Sequence, residues 1–313
     1  MQADTVKPAP EPGDATAGVT PGAAPVGAGG GGAAPGPGPQ PATTSTGFVT
    51  AGGRRLEVRT IGELRPDAPA LVFLHEGLGC SALWRDFPER LAALAGLPAL
   101  VYSRLGYGQS DPFDAPLAPG FMHYEARVPL PELLEHFSIR HPVLVGHSDG
   151  ASIALIYAGE HPDRVEAVVA LAPHLFVEPV TIASIADIAA RFPASDLPRR
   201  MAKYHRDAVA TFQRWTQAWL DPAFRDWNIE ADVAKLRCPV LAVQGFQDEY
   251  GTMLQVRRIA ELAPRARWVG IEACGHSPFI DQPDRVLAEV GGFLSSLGIG
   301  RGGSRAPNAA PAR

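Results

Sequence analysis

An α/β fold, with a mostly parallel eight-stranded sheet covered by helices on both faces, is what this 313-residue sequence predicts. Three observations carry the prediction. Two strand-like stretches, 48–50 and 56–60, flank Gly52-Gly53 and read as an opening hairpin. Six further short apolar runs follow at 70–74, 98–102, 143–147, 166–171, 239–244 and 266–271. Helical patterns such as 81–95 and 251–263 separate most of them. Strands alternating with helices build a parallel sheet covered on both faces, and strands buried on both faces read as continuous apolar runs.

The elements follow in order. Gly-Gly supplies the positive φ angles that a two-residue hairpin turn demands. Leu71-Val72-Phe73-Leu74 and Val143-Leu144-Val145 are apolar throughout, as central strands should be. The alternation breaks once, between His174 and Lys235, where helical patterns at 180–192 and 207–220 accompany Trp215, Trp219 and Trp227. Ligands of open α/β sheets bind at the carboxyl ends of the strands, so residues just after each run are the functional candidates.

Composition bounds the rest. With 46% hydrophobic residues the chain can bury one large core, and its net charge of −5 offers no basic field for nucleic acid or an anionic membrane. Cys80, Cys238 and Cys274 are odd in number and lack metal-site spacing, which argues against a disulfide scaffold or a metal centre and fits a reducing cytoplasm. No apolar stretch approaches the roughly 20 residues of a membrane helix. Ala, Gly and Pro make up 29 of residues 1–46, so this segment is expected to be disordered, as is the tail 298–313. The expected domains are a core of 47–173 and 236–297, with 174–235 inserted as a helical unit.

The sharpest motif is Gly146-His147-Ser148-Asp149-Gly150, set between an apolar strand-like run and the helical pattern 151–158. G-x-S-x-G at a strand-to-helix turn presents a serine hydroxyl above the sheet edge, with small neighbours where strand and helix cross. The motif could instead supply an ordinary helix cap. A nucleophilic serine needs a histidine base and an acid to orient it. Asp248 follows the run 240–243, and His276 follows the run 267–271; Glu249 and Glu178 compete with Asp248 for the acid role. The order Ser148, Asp248, His276 is that of the α/β-hydrolases.

On these residues the chain resembles the α/β-hydrolase family over roughly residues 47–297. Leu71-Val72-Phe73-Leu74-His75-Glu76-Gly77 looks like the strand ending in His-Gly that supplies half of an oxyanion hole, and Arg104-Leu105-Gly106-Tyr107-Gly108-Gln109-Ser110 resembles the family's R-x-G-x-G-x-S loop. The most similar subfamilies are small carboxylesterases, biphenyl-hydrolase-like enzymes and carbon-carbon hydrolases. The resemblance implies a helical cap at 174–235 and an oxyanion hole from the backbone amides of Gly77 and Asp149. Glu76 departs from the family, which has glycine there. A carboxylate beside a developing oxyanion must be neutralised or turned away, and an ion pair with Arg104 is the expected resolution.

The resulting expectation is a cytoplasmic serine hydrolase acting on a small-molecule ester or lactone through an acyl-enzyme, with no metal or organic cofactor. A carbon-carbon hydrolase of an aromatic ring-fission product is the alternative enzyme, and a ligand receptor on a hydrolase fold is the alternative class. Serine at 148 argues against dehalogenase and epoxide hydrolase chemistry, which use aspartate there. Glu76, Phe176, Trp215 and Trp219 are the candidates for lining the substrate pocket. The Asp149 carboxylate has two readings: a first-turn acid favoured by the helix dipole, or a pocket group that attracts a cationic substrate.

Overall fold

The computed structural model describes residues 42–113 and 115–300. Its sheet contains eight strands in the order β1-β2-β4-β3-β5-β6-β7-β8. β1 (Thr44–Ala51) and β2 (Arg54–Ile61) form the antiparallel opening hairpin, turning at Gly52 and Gly53 with φ of 61° and 68°. β2 also pairs antiparallel with β4 (Ala99–Tyr102). The remaining neighbours, β3 (Pro69–Leu74), β5 (His141–His147), β6 (Ala167–Leu171), β7 (Val240–Gly245) and β8 (Ala266–Ile271), pair in parallel. Each strand run read from the sequence falls within two residues of its observed bounds at either end, apart from the hairpin strands, which run longer.

The two-residue periodicity of the strands splits the core into two layers. Leu71, Phe73, Val143 and Val145 face one layer with α1 (Phe87–Ala95) and α11 (Pro283–Ser296). Val72, Leu74 and Leu144 face the other. That second layer is closed by α2 (Phe121–Arg127), α3 (Pro129–His136), α4 (Asp149–Glu160) and α9 (Leu254–Leu262). α4 is buried from Asp149 to Gly159, which explains why its sequence is apolar on all sides rather than on one stripe.

Between β6 and β7 run α5 (Pro179–Arg191), α6 (Leu197–Met201), α7 (Ala208–Leu220) and α8 (Glu230–Val233). α5 and α7 match the helical patterns 180–192 and 207–220 to within one residue at each end. α7 starts where the Asp207 side chain accepts from Ala210 N–H at 2.9 Å. The last helical turn before α11 is α10 (Pro278–Asp281), directly after His276.

Two expected boundaries need correction. β1 begins at Thr44, so residues 44–46 belong to the sheet and not to a disordered leader; their pairing with Arg59, Thr60 and Ile61 outweighs their lack of apolar side chains. At the other end, Ile299 packs on the core layer beside α11, and its N–H donates to Leu294 O at 3.0 Å. Ordered chain therefore continues past 297. The expectations for 1–41 and 301–313 lie outside the described residues. Among the described residues no helix is long and apolar enough to cross a membrane, and the three cysteines are free and buried.

Candidate active site

Ser148 sits at the turn between β5 and α4 with φ 51° and ψ −119°, a strained conformation for a residue with a side chain. The turn is sterically possible only between glycines. A β-carbon at 146 would lie 2.4 Å from Gly150 O, and one at 150 would lie 2.0 Å from Leu74 O. The Ser148 hydroxyl lies 2.9 Å from His276 Nε2, and His276 Nδ1 lies 2.9 Å from both oxygens of Asp248. The three residues come from the ends of β5, β7 and β8, as their positions in the sequence anticipated.

Asp248 is held as rigidly as it holds His276. Its Oδ1 accepts from the N–H groups of Tyr250 at 2.7 Å and Gly251 at 3.2 Å, and its Oδ2 accepts from Gln244 Nε2 at 2.6 Å. Burial opposes ionisation of this carboxyl, but the charge and hydrogen bond of His276 outweigh burial and hold the pKa below the ordinary carboxylate value. The same pairing acts in reverse on His276: burial disfavours its imidazolium, and the Asp248 charge and hydrogen bond overcome that and raise its pKa. Glu178, the competing acid, is instead bound to Thr252 and Gln255.

The cavity over Ser148 has a volume of about 140 Å³ and is lined by Glu76, Gly77, Asp149, Trp215 and Trp219, all anticipated from the sequence. Gly77 and Asp149 both line it, and their N–H groups have no acceptor among the described residues. Trp215 stands against Gly77 so closely that a β-carbon there would lie 2.0 Å from Nε1. Phe176 is a correction. It forms a bridge to Asn228 and does not line the cavity, because the chain turns away from the pocket before α5 begins.

Charge pairing is also not as the sequence implied. The expected ion pair between Glu76 and Arg104 does not form. Arg104 Nη2 donates to the Glu76 carbonyl at 2.9 Å and reaches Asp149 Oδ2 at 3.4 Å, with both the Arg104 and Asp149 side chains 1% exposed. Trp219 Nε1 donates to the other Asp149 oxygen at 3.3 Å. The Asp149 carboxylate is thus spoken for by its own protein at the floor of the cavity. Burial raises its pKa even so, with Arg104 and Trp219 working against the rise.

Glu76 turns to His147, whose Nδ1 lies 3.3 Å from Oε2, an ion pair whenever His147 is protonated. Burial acts to raise the Glu76 pKa, yet the hydrogen bond and charge of His147, with His75, bring it down to about 2. His147 Nε2–H donates to the His276 carbonyl at 2.6 Å, so Glu76 and His147 tie the loop after β3 to the loop that carries His276. His75 also supports a loop, donating from Nδ1 to Glu76 O and accepting Arg104 N–H at Nε2.

Sequence reasoning did not single out His174, Thr181, Ile185 or Tyr250, which also line the cavity. Tyr250 packs against His276 with ring centroids 4.9 Å apart, and His174 does so at 5.6 Å. Burial pushes the His174 pKa down to about 3, leaving its ring neutral beside the base. Both follow strand ends by a few residues, a positional signal that could have marked them.

The sequence profile of the alpha/beta hydrolase family matches residues 71–289. The chain belongs to the alpha/beta hydrolase family. Relatives within the family include a proline iminopeptidase of Lactobacillus helveticus, 23% identical over 271 residues, covering 74% of this chain and 90% of the relative. Among solved structures, a membrane phospholipase A described as a bacterial virulence factor superposes with a TM-score of 0.67 at 19% identity, over 81% of this chain and 86% of that one. A thermophilic esterase from Thermogutta terrifontis superposes at 0.63 with 19% identity, over 81% and 99%. The two solved structures share the fold, and membership of the alpha/beta hydrolase family supports hydrolase chemistry.

Proposed function

We propose that the protein is a serine hydrolase that cleaves a small carboxylic ester or lactone through an acyl-enzyme. The observation that carries the reading is the unbroken Asp248, His276, Ser148 hydrogen-bond chain, with 2.9 Å at each catalytic contact, opening onto a cavity. In this scheme His276 takes the Ser148 proton as Oγ attacks the carbonyl carbon, forming the tetrahedral oxyanion. The Gly77 and Asp149 N–H groups receive the oxyanion. His276 returns the proton to the leaving alkoxide, and water repeats the sequence to release the acid. The helices between β6 and β7 act as a cap, with α7 placing Trp215 and Trp219 over the nucleophile. The scheme requires no metal or organic cofactor.

The small cavity favours a short acyl group, since its volume matches roughly four or five water molecules at liquid density. The test is labelling by a fluorophosphonate in the parent and in Ser148→Ala, followed by turnover of acetyl through octanoyl esters, lactones, aminoacyl esters and a prolyl amide. Ser148-dependent labelling with fastest turnover of short acyl esters or lactones is the expected result. Labelling without turnover of any ester would support a receptor. Preference for the prolyl amide would move the assignment to aminopeptidase chemistry, the activity named for the Lactobacillus relative.

A further inference from the structure

A second cavity, of about 410 Å³, lies between the loop that follows β4 and helix α2, and it shares no lining residue with the cavity over Ser148. Leu105, Leu117, Phe121 and Tyr124 make its wall apolar, and among the described residues Glu125 is its one ionisable acid or base besides the Tyr124 phenol. Glu125 is 7% exposed, and its Oε2 is buried without a hydrogen-bond partner. A buried carboxylate is normally paired, because its desolvation is otherwise uncompensated.

Arg104, whose charge acts on it, does not hydrogen-bond it. Arg104 commits its hydrogen bonds to the Glu76 carbonyl and the Asp149 carboxylate, and its own Nε is unpartnered. The buried Tyr102 hydroxyl on β4 has no partner either. Two buried carboxylates, Asp149 and Glu125, therefore share the field of one guanidinium. The polar end of this otherwise apolar cavity is thus a carboxyl group with no hydrogen-bonded cation of its own among the described residues.

We propose that this cavity binds a small organic ammonium, with its apolar body against Leu117 and Phe121 and its N–H donors on the Glu125 carboxylate. An ammonium offers both the charge and the donors that Glu125 lacks, while the apolar wall rewards a hydrocarbon or aromatic body. Burial pushes the Glu125 pKa up to about 7, with Arg104 pulling it down, so capture of a cation near neutrality releases part of a proton. The site stands on its own geometry and does not depend on the bond that Ser148 cleaves.

The experiment is calorimetric titration at pH 7.5 of the full chain with 2-phenylethylamine, 2-phenylethanol and 3-phenylpropionate. The amine should bind at least about tenfold more tightly than the alcohol, as one charge-assisted contact allows, and the carboxylate should not bind. The amine heat should vary with buffer ionisation enthalpy, reporting the released proton. Glu125→Gln should bring the amine to the level of the alcohol while ester turnover stays at the parent value, and Leu117→Trp should weaken amine and alcohol together. Equal affinity of amine and alcohol, amine affinity unchanged in Glu125→Gln, or no amine binding at millimolar concentration would overturn the proposal.

Discussion

Replacing Arg104 with Met removes the only cation within hydrogen-bond reach of the Asp149 carboxylate among the described residues, at a site where both side chains are 1% exposed. Methionine keeps much of the volume, so the loss is electrostatic. Asp149 would retain one hydrogen bond, from Trp219 at 3.3 Å. A stranded carboxylate has two courses: to stay charged at the few kcal/mol that breaking a buried pair costs, or to take up a proton. Protonating an acid of ordinary pKa near 3.9 at pH 7 costs about 1.36 × 3.1, or about 4 kcal/mol, which caps the ionisation penalty. Burial already raises the Asp149 pKa in the parent, so part of that penalty predates the change and the loss at pH 7 should stay below about 4 kcal/mol, at most roughly a 10 °C fall in melting temperature for a domain of this size. The sign with pH follows from linkage. In the variant the folded pKa of Asp149 rises further above its unfolded value, so the deficit is small near pH 4 and grows as pH rises toward 7. Urea unfolding followed by circular dichroism at pH 4.5, 6 and 7.5 measures it. Adding Asp149→Asn to the variant should restore at least half of the loss. A deficit below about 1 kcal/mol at pH 7.5, or one flat across the pH series, would refute the argument that a buried pair holds the turn after Ser148.

Three further outcomes are expected. Asp248→Asn should lower turnover by roughly three to four orders of magnitude, by analogy with the same change in other triads, and should shift the acid limb of the pH-rate profile downward, because the charge that raises the His276 pKa is gone; an unmoved limb would mean another group titrates. Gly77→Ala should lower activity and stability together, since the new methyl group would meet Trp215 at 2.0 Å, and Gly77→Ala combined with Trp215→Gly should recover part of the activity; failure to recover would show that the loop, not the indole, is the point of conflict. Glu125→Gln should match the parent in stability at pH 4 and exceed it by on the order of 3 kcal/mol at pH 8, because the Glu125 pKa rises from 4.5 to about 7 on folding and the stability that this acid contributes is lost as pH passes through 7; equal pH profiles would contradict its burial as an unpaired acid.

Ser148, Asp248 and His276 were legible one at a time, because each follows an apolar strand run and a parallel sheet sends all such ends to one edge. Shorter reach and position favoured Asp248 over Glu178, which the structure binds to Thr252 and Gln255 instead. Trp215 and Trp219 were legible as pocket candidates from their place in the stretch inserted between β6 and β7. The charge network was not. Glu76, Arg104, His147 and Asp149 all lie within one crowded region, and which carboxylate meets the guanidinium depends on side-chain directions that the backbone turn sets. Because Ser148 adopts positive φ, the α4 axis starts where the Asp149 side chain points down to Arg104 and Trp219, leaving Glu76 to His147. The sequence by itself determined the order of elements, the sheet edge that carries the site and the three residues at Ser148. Tertiary structure alone decided the pairing of charges, the exclusion of Phe176 and the isolation of Glu125, because strand position is encoded by local apolar pattern whereas partner choice is settled by ångström-scale packing of residues far apart in the chain.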